Sequence, residues 1–300
     1  MTLHRLDQLT GQVRAKWRRS GTGRVQNADM AAHDVTQQVV SWYSEQFDES
    51  GRLSDSADGR LELLRTREIL GLHLPNAPAS VLDVGGGPGT HAAWLAREGY
   101  AVHLIDPVQR HLDQAQAIAG CTVELGDART LATADATFDV VLLLGPLYHL
   151  LDPAHRTAAL TEARRVVRPG GMVAAAAINR FASLAEHTST GMLVNERLRA
   201  SVESILATQQ YDGRRGFTAA HFHTAGQLAE EMAAAGLQPH AVYGVEGPMW
   251  GLVKAVEQRS GKPLPDDDPV MLSALTAARL ADPYPELLAA SSHLLAIAAV

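Results

Sequence analysis

From residue 80 to about residue 178 the chain alternates short apolar runs with amphipathic stretches, and that rhythm leaves few folds open. The runs SVLDVG, YAVHLID, TVELGD, FDVVLLLG and MVAAAAIN have strand length, and some are almost wholly apolar, as strands are when both faces of a sheet are covered. Between them lie helical patterns with recognisable ends. THAAWLAREG closes on Gly99, and PVQRHLDQAQAIAG has proline at a favourable first position and stops at Gly120. DPAHRTAALTEARRVVRPGG runs from Asp152 and Pro153 to a Pro-Gly-Gly stop. Strands alternating with helices predict an α/β fold: a parallel sheet with helices on both faces.

The flanking regions read differently. Residues 1–30 are polar and locally basic (Arg5, Arg14, Lys16, Arg18, Arg19, Arg24) and read as a flexible N-terminal arm. Residues 31–78 read as a helical cap. One helix is expected over Asp34–Phe47 with Val39, Val40 and Tyr43 inward, and a second through RLELLRTREILGLHL, stopped by Pro75 and Pro78. The remainder, 79–300, reads as the core with two insertions. The first, at about 179–223, carries one helix near 193–208 in an otherwise irregular run. The pattern resumes at TAGQLAEEMAAAGL, where Thr224 and Gln227 have capping-box spacing. PHAVYGVEG and HLLAIAAV read as the last two strands, separated by a second insertion at about 248–290 with the helical PVMLSALTAARL.

Composition narrows the function classes. A hydrophobic fraction of 46% in 300 residues supports a real core, and a net charge of −7 argues against a general nucleic-acid binder. The single cysteine, Cys121, excludes an internal disulfide and a cysteine-based zinc cluster. No stretch has the length and apolarity of a membrane span or of a signal-peptide core, so a cytoplasmic enzyme or binding protein is expected.

VLDVGGGPGT places Gly85, Gly86, Gly87 and Gly89 between a strand and a helix, where exposed amides and the helix dipole bind polar groups. A phosphate-binding loop needs a Lys-Ser/Thr pair after its last glycine, and here the chain reads Gly89-Thr90-His91. A dinucleotide fingerprint needs G-x-G-x-x-G, but the residue three after Gly87 is Thr90. Asp83 stands two residues before the first glycine, able to fix the loop backbone or to meet an ammonium group.

With its acidic residue and G-x-G-x-G spacing, this stretch resembles the first motif of class I S-adenosylmethionine-dependent methyltransferases. FDVVLLLGPLYHL resembles the fourth motif, and EARRVVRPGGMVAAAA the helix, turn and strand that follow. The resemblance covers roughly residues 80 to 180 plus the final strands. It implies a Rossmann-like seven-stranded sheet of order 3-2-1-4-5-7-6, its last strand antiparallel. It also implies S-adenosyl-L-methionine as cofactor and S-adenosyl-L-homocysteine as product. By the same resemblance Asp106, followed by Pro107, accepts from the ribose hydroxyls, and Asp127 and Ala128 contact adenine. Leu144 and Gly145 lie beside the transferable methyl. The flanking GRLELLRT and FHTAGQLAEEMAAAGL are similar to a bacterial small-molecule methyltransferase group. This implies methyl transfer to an N, O or C nucleophile of a small molecule, as in secondary metabolism. A macromolecular (RNA or protein) methyltransferase and a non-catalytic cofactor-binding relative stay open, as does a monomer or a homodimer.

His149 and Tyr148, just past the fourth strand, are the candidate catalytic residues. His149 is either a general base or a hydrogen-bonded packing residue, and Tyr148 could shield a sulfonium by a cation–π contact. Tyr43 and Arg60 are expected to close over the cofactor, with an arginine pairing with the methionine carboxylate. Arg65 reads either as a third residue closing over the cofactor or as part of a solvated face with Glu62 and Glu68; His91 reads as exposed, Trp94 as core and His103 as structural. In the first insertion Tyr211, Arg214, Phe217, His221 and His223 are candidates for selecting the substrate. A metal site from His221 and His223 is an alternative without an apparent third ligand, and one histidine is rather expected to face the substrate cavity and the other water.

Overall fold

The computed structural model describes residues 37–213 and 216–300; the arm expected at 1–30 and the candidate Arg214 lie outside them. One sheet contains β1 (Ser80–Val84), β2 (Ala101–Asp106), β3 (Cys121–Leu125), β4 (Phe138–Leu143), β5 (Val167–Ile178), β8 (Gln238–Gly244) and β9 (His293–Ala299). A hairpin of β6 (Gln210–Tyr211) and β7 (Ala220–His221) stands apart from it. The order is β3-β2-β1-β4-β5-β9-β8, with β1 to β5 parallel and β9 antiparallel to both of its neighbours. Discounting the hairpin, this is the expected 3-2-1-4-5-7-6 arrangement.

The helices are α1 (Ala57–His73), α2 (Thr90–Arg97), α3 (Gln109–Ala115), α4 (Pro146–His149), α5 (Pro153–Val166), α6 (Ala182–Ser189), α7 (Glu196–Thr208), α8 (Ala225–Ala234), α9 (Trp250–Ser260) and α10 (Pro269–Ala281). Alternation along the strands separates two cores. Val81, Val140 and Leu142 pack with Leu70 of α1 and Ala92 and Leu95 of α2, whereas Leu82, Val141 and Leu143 pack with Leu160 of α5 and Met232 of α8. Each large aliphatic side chain buried this way contributes about 1.5–3 kcal/mol. The caps form where the residues predict them: Asp152 accepts from the Ala154 N–H at 2.9 Å ahead of Pro153, and Thr224 and Gln227 make a reciprocal capping box. The run from Pro107 is shorter than expected, since α3 ends at Ala115 and the chain turns to Gly120.

Both insertions hold more structure than their patterns suggest. The first contains α6, α7 and the hairpin, packed through Ile178, Ala182, Ile205, Ala220 and Phe222. The second contains α9, unexpected from its glycine and valines, as well as α10. Trp250 and Val253 of α9 and Met271 and Ala274 of α10 pack on Ala57 and Leu61 of α1. Burial of those apolar groups overrides the weak helix propensity of the first turn of α9, and the segment serves as a buttress behind α1. No helix among the described residues is long and apolar enough to cross a membrane.

Candidate functional site

The site lies at the carboxyl edge of the sheet, where β1 gives way to the glycine loop. Gly85 and Gly87 take positive φ (67° and 57°). Gly86 is required for another reason, because a Cβ there would come 2.7 Å from Asp83 Oδ2. Asp83 is buried under this loop, and burial, reinforced by Asp106, pushes its carboxyl up to about 7. Asp106 Oδ2 accepts from the Gly87 N–H at 2.9 Å, while its Oδ1 accepts from the Val108 N–H at 2.8 Å and from His111 Nδ1 at 3.0 Å. A carboxylate oxygen has two lone pairs, so one direction on Oδ2 is left for a ligand. Asp127 accepts from Arg129, which outweighs the effect of burial and holds its carboxyl below the ordinary range.

These residues line one cavity of about 1390 Å³, including its open mouth. Asp83, Gly85, Gly86, Gly87, Asp106, Pro107, Asp127 and Ala128 form one part of the wall, and Leu144, Gly145, Tyr148, His149 and Tyr43 another. Gly89 is off the wall. It caps α2 at φ 91°, with Ala115 and Ile118 packed behind it.

At the far end Tyr43 Oη lies 3.1 Å from His149 Nε2, and the two rings meet edge to face at 5.5 Å. Tyr148 and Phe217 flank His149 with centroids at 4.6 and 5.9 Å. Burial raises the tyrosine hydroxyls above their ordinary range and pushes the His149 imidazole down to about 4. Both groups are therefore neutral at pH 7. This bond joins two neutral groups, and a tyrosine donor to Nε2 would place the ring hydrogen of His149 on Nδ1.

A third stretch of wall was not anticipated. Arg52 donates to Glu49 and, through both terminal nitrogens, to Glu62 at 2.8 and 3.0 Å. Glu62 also faces His293 Nδ1 at 3.6 Å, and His293 is hydrogen-bonded to the buried Glu246. Burial opposes charge on His293, but Glu62 and Glu246 outweigh it and raise the imidazole to about 9. Burial likewise opposes charge on Glu62, yet Arg52 and His293 bring it down to about 2. His91 lines this part of the cavity instead of standing exposed, and burial lowers it to about 4.

Several expected site residues do not reach the cavity. Arg60 points the other way, with Nε donating to Asp266 at 2.7 Å and Nη2 to the Leu264 carbonyl, so it ties α1 to the second insertion. Arg65 is not solvated: at 2% exposure it bonds Asp282, Glu68 and the Val245 carbonyl. Tyr211, Phe217, His221 and His223 are not on the cavity wall. His221 and His223 are both buried and in mutual contact, so neither faces water or the cavity. The spacing held a signal against Arg60. Glu62, Thr66 and Ile69 share one helical face by their spacing, and Arg60 is off it. Arg52, inside a loop, follows no periodicity.

A cofactor with many polar atoms suits this wall. Asp83 Oδ2, His91 Nδ1, His111 Nε2 and Glu49 Oε2 are buried without a partner among the described residues, and buried polar atoms in folded proteins normally have one. Residues 81–171 match the family described as a methyltransferase domain. The matched stretch, residues 81–171, is a class I S-adenosylmethionine-dependent methyltransferase domain in its motifs and its sheet order. Its cofactor is S-adenosylmethionine. Over 99 residues the chain is 38% identical to an uncharacterized methyltransferase of Mycobacterium bovis, covering 33% of this chain and 39% of that protein. Over 105 residues it is 37% identical to a ubiquinone biosynthesis O-methyltransferase of Methylocella silvestris, covering 33% and 40%. The matched region is thus less than half of either relative. Among solved structures, an S-adenosylmethionine-dependent methyltransferase of Thermotoga maritima matches with a TM-score of 0.54 at 16% identity, covering 87% of this chain and 99% of that one. The 1,6-didemethyltoxoflavin N1-methyltransferase of Burkholderia thailandensis matches with a TM-score of 0.51 at 16% identity, covering 93% and 92%.

Proposed function

We propose that this chain transfers the methyl group of S-adenosylmethionine to a nucleophile, N, O or C, of a small molecule. The observation that carries the proposal is the single cavity that joins the glycine loop, Asp83, Asp106 and Asp127 to the Tyr43–His149 pair. When bound, the cofactor supplies a sulfonium-activated methyl group. Asp106 would hold the ribose through its free lone pair, Asp127 and Ala128 the adenine, and Asp83 the ammonium group. Arg52 takes the role expected of Arg60 and would meet the methionine carboxylate, a charge-assisted contact that suits a guanidinium.

The wall also bears on the acceptor. Holding nucleophile and methyl carbon in line is worth about 7–11 kcal/mol and requires no base in itself. An imidazole lowered to about 4 is a weak base at neutral pH, but it accepts a hydrogen bond well. We therefore assign the Tyr43–His149 pair the task of orienting an acceptor N–H or O–H, which the Tyr43 hydroxyl oxygen can accept, with Tyr148 facing the sulfonium. An amine or ring nitrogen, nucleophilic before it loses a proton, suits this wall better than an alcohol. The aromatic lining and the toxoflavin-type substrate of the Burkholderia protein support a small-molecule acceptor. A cytoplasmic setting belongs to the same proposal.

Calorimetry with S-adenosylhomocysteine tests the cofactor half, and micromolar binding is expected. Incubation of the chain with methyl-labelled cofactor and separated small-molecule, RNA and protein fractions of a bacterial extract tests the acceptor half. Label in the small-molecule fraction is expected. Label confined to RNA or protein would overturn that half, and binding without any transfer would make the chain a cofactor-binding relative.

A further inference from the structure

A buried charged cluster joins the first insertion to the turn that carries His149, and methyl transfer as described makes no use of it. Arg156, 2% exposed, directs Nε and Nη2 to the Glu231 carboxylate at 2.7–3.0 Å. Its Nη1 donates to the carbonyls of Leu150 at 2.8 Å and Leu151 at 3.0 Å, the two residues that follow His149. Glu231 also faces His223 Nε2 at 3.2 Å, and the fully buried His223 ring lies edge-on to His221 at 4.4 Å. The His223 N–H donates to the Ile178 carbonyl, and its own carbonyl accepts from the Arg180 N–H, each at 2.8 Å. One cluster therefore spans α5, α8, the end of β5, the hairpin and the turn after α4.

His221, His223 and Glu231 bring one donor atom each within 4.8 Å of one another, a ligand set that a divalent cation could use. Arg156 already neutralises Glu231, however, and a cation there would bury two uncompensated charges. The cluster is better explained as a clamp. The opposite side of the cavity is held more lightly. Among the described residues, the Tyr43 segment meets it through an apolar group around Val39, Tyr43 and Val108, the Tyr43–His111 ring contact at 5.5 Å and the neutral Tyr43–His149 hydrogen bond.

We propose that Arg156 and Glu231 are positioning residues that lock the first insertion and the His149 turn into one rigid wall, so that ligands pass by the Tyr43 segment. The proposal rests on the reading that cofactor and acceptor share this cavity. Its physical basis is that separating a buried bidentate ion pair costs far more than breaking one neutral hydrogen bond. Opening follows the less stable segment.

Hydrogen exchange on the full chain, with and without S-adenosylhomocysteine, tests this in the parent and in the Glu231→Gln and Arg156→Lys variants. In the parent, the ligand should slow exchange in 37–46 more than in 209–223. In both variants, exchange should speed up by about tenfold or more in 145–151 and 209–223 together, as expected for one cooperative unit. The imidazole 15N signals of His149 should shift toward mixed tautomers. Arg156→Lys keeps the charge and provides the readout if Glu231→Gln does not fold. Independent responses of the two stretches, or stronger ligand protection in 209–223 than in 37–46, would overturn the proposal. Zn2+ protection of the hairpin at one equivalent, lost in His223→Gln, would overturn the ion-pair assignment. Failure of S-adenosylhomocysteine to bind would count against the cofactor reading instead, while the variants still decide the clamp.

Discussion

The two segments that close the cavity are built from opposite materials. The N-terminal wall, residues 37–66, puts Tyr43, Glu49, Arg52, Glu62 and Thr66 on the cavity surface. The first insertion puts its candidate residues into its own small core and into the Arg156–Glu231 cluster, and touches the site through the ring of Phe217 against His149. Location at the end of β5 made the insertion the expected selector of substrate. Of these two segments, it is the N-terminal one that supplies cavity lining. Proximity to the chemistry in sequence order does not decide which side chains reach the ligand. That depends on which faces packing leaves open.

This contrast can be broken from either side. The largest effect should come from Arg156→Leu, which strands Glu231 without its cation and should cost about 3–5 kcal/mol in urea denaturation. The folded variant should lose less S-adenosylhomocysteine affinity than Arg52→Ala, because Arg156 reaches the cavity wall only through the carbonyls of the turn after His149. On the N-terminal wall the balance should reverse. Arg52→Ala should weaken S-adenosylhomocysteine by about 10- to 100-fold in calorimetry, the usual loss for a hydrogen bond to a charged group.

The acid–base groups of the same wall come next in size. His293 is raised above its ordinary value to about 9 by Glu62 and Glu246 against burial, so it binds its proton more tightly folded than unfolded. Its contribution is complete below the ordinary histidine range and is lost as pH rises through about 9. The urea midpoint should fall between neutral pH and that point, and His293→Asn should flatten the fall. Asp83, raised to about 7, is partly protonated at neutral pH, and a cationic cofactor favours its carboxylate form. Affinity for S-adenosylmethionine should therefore rise with pH through about 7, and Asp83→Asn should remove that dependence.

The smallest effects separate contact from coincidence. Tyr43→Phe should cost about 1 kcal/mol of stability, the worth of one hydrogen bond. Arg60→Ala should cost about 0.5–1 kcal/mol and leave S-adenosylhomocysteine affinity unchanged, since its main partner, Asp266, lies at the surface. A loss of affinity in Arg60→Ala matching that of Arg52→Ala would restore the original assignment.

Much of the cofactor end was legible because its signals are local. Asp106 ends β2, Asp127 follows β3, the glycines follow β1, and period-2 alternation fixes which strand residues point to which face. Errors arose where a second segment covers a residue. His91 reads as exposed at the start of a helix, but it forms part of the cavity wall beside Glu62. Arg65 reads as solvated, but Asp282 and the Val245 carbonyl enclose it. His221 and His223 read as facing different surroundings, but their rings touch, and the third group, Glu231, comes from α8.

By itself the sequence determined the α/β alternation, the strand ends that carry Asp83, Asp106 and Asp127, and the glycine loop between β1 and α2. Each of these is written in runs of a few residues, over which backbone state and sidedness are set. Only the tertiary structure decided that Arg52 and not Arg60 meets the cavity, that His293 joins Glu62, and that Arg156 reaches Glu231, 75 positions away. Such pairs are chosen by the packing of whole elements against one another, and no local period encodes them.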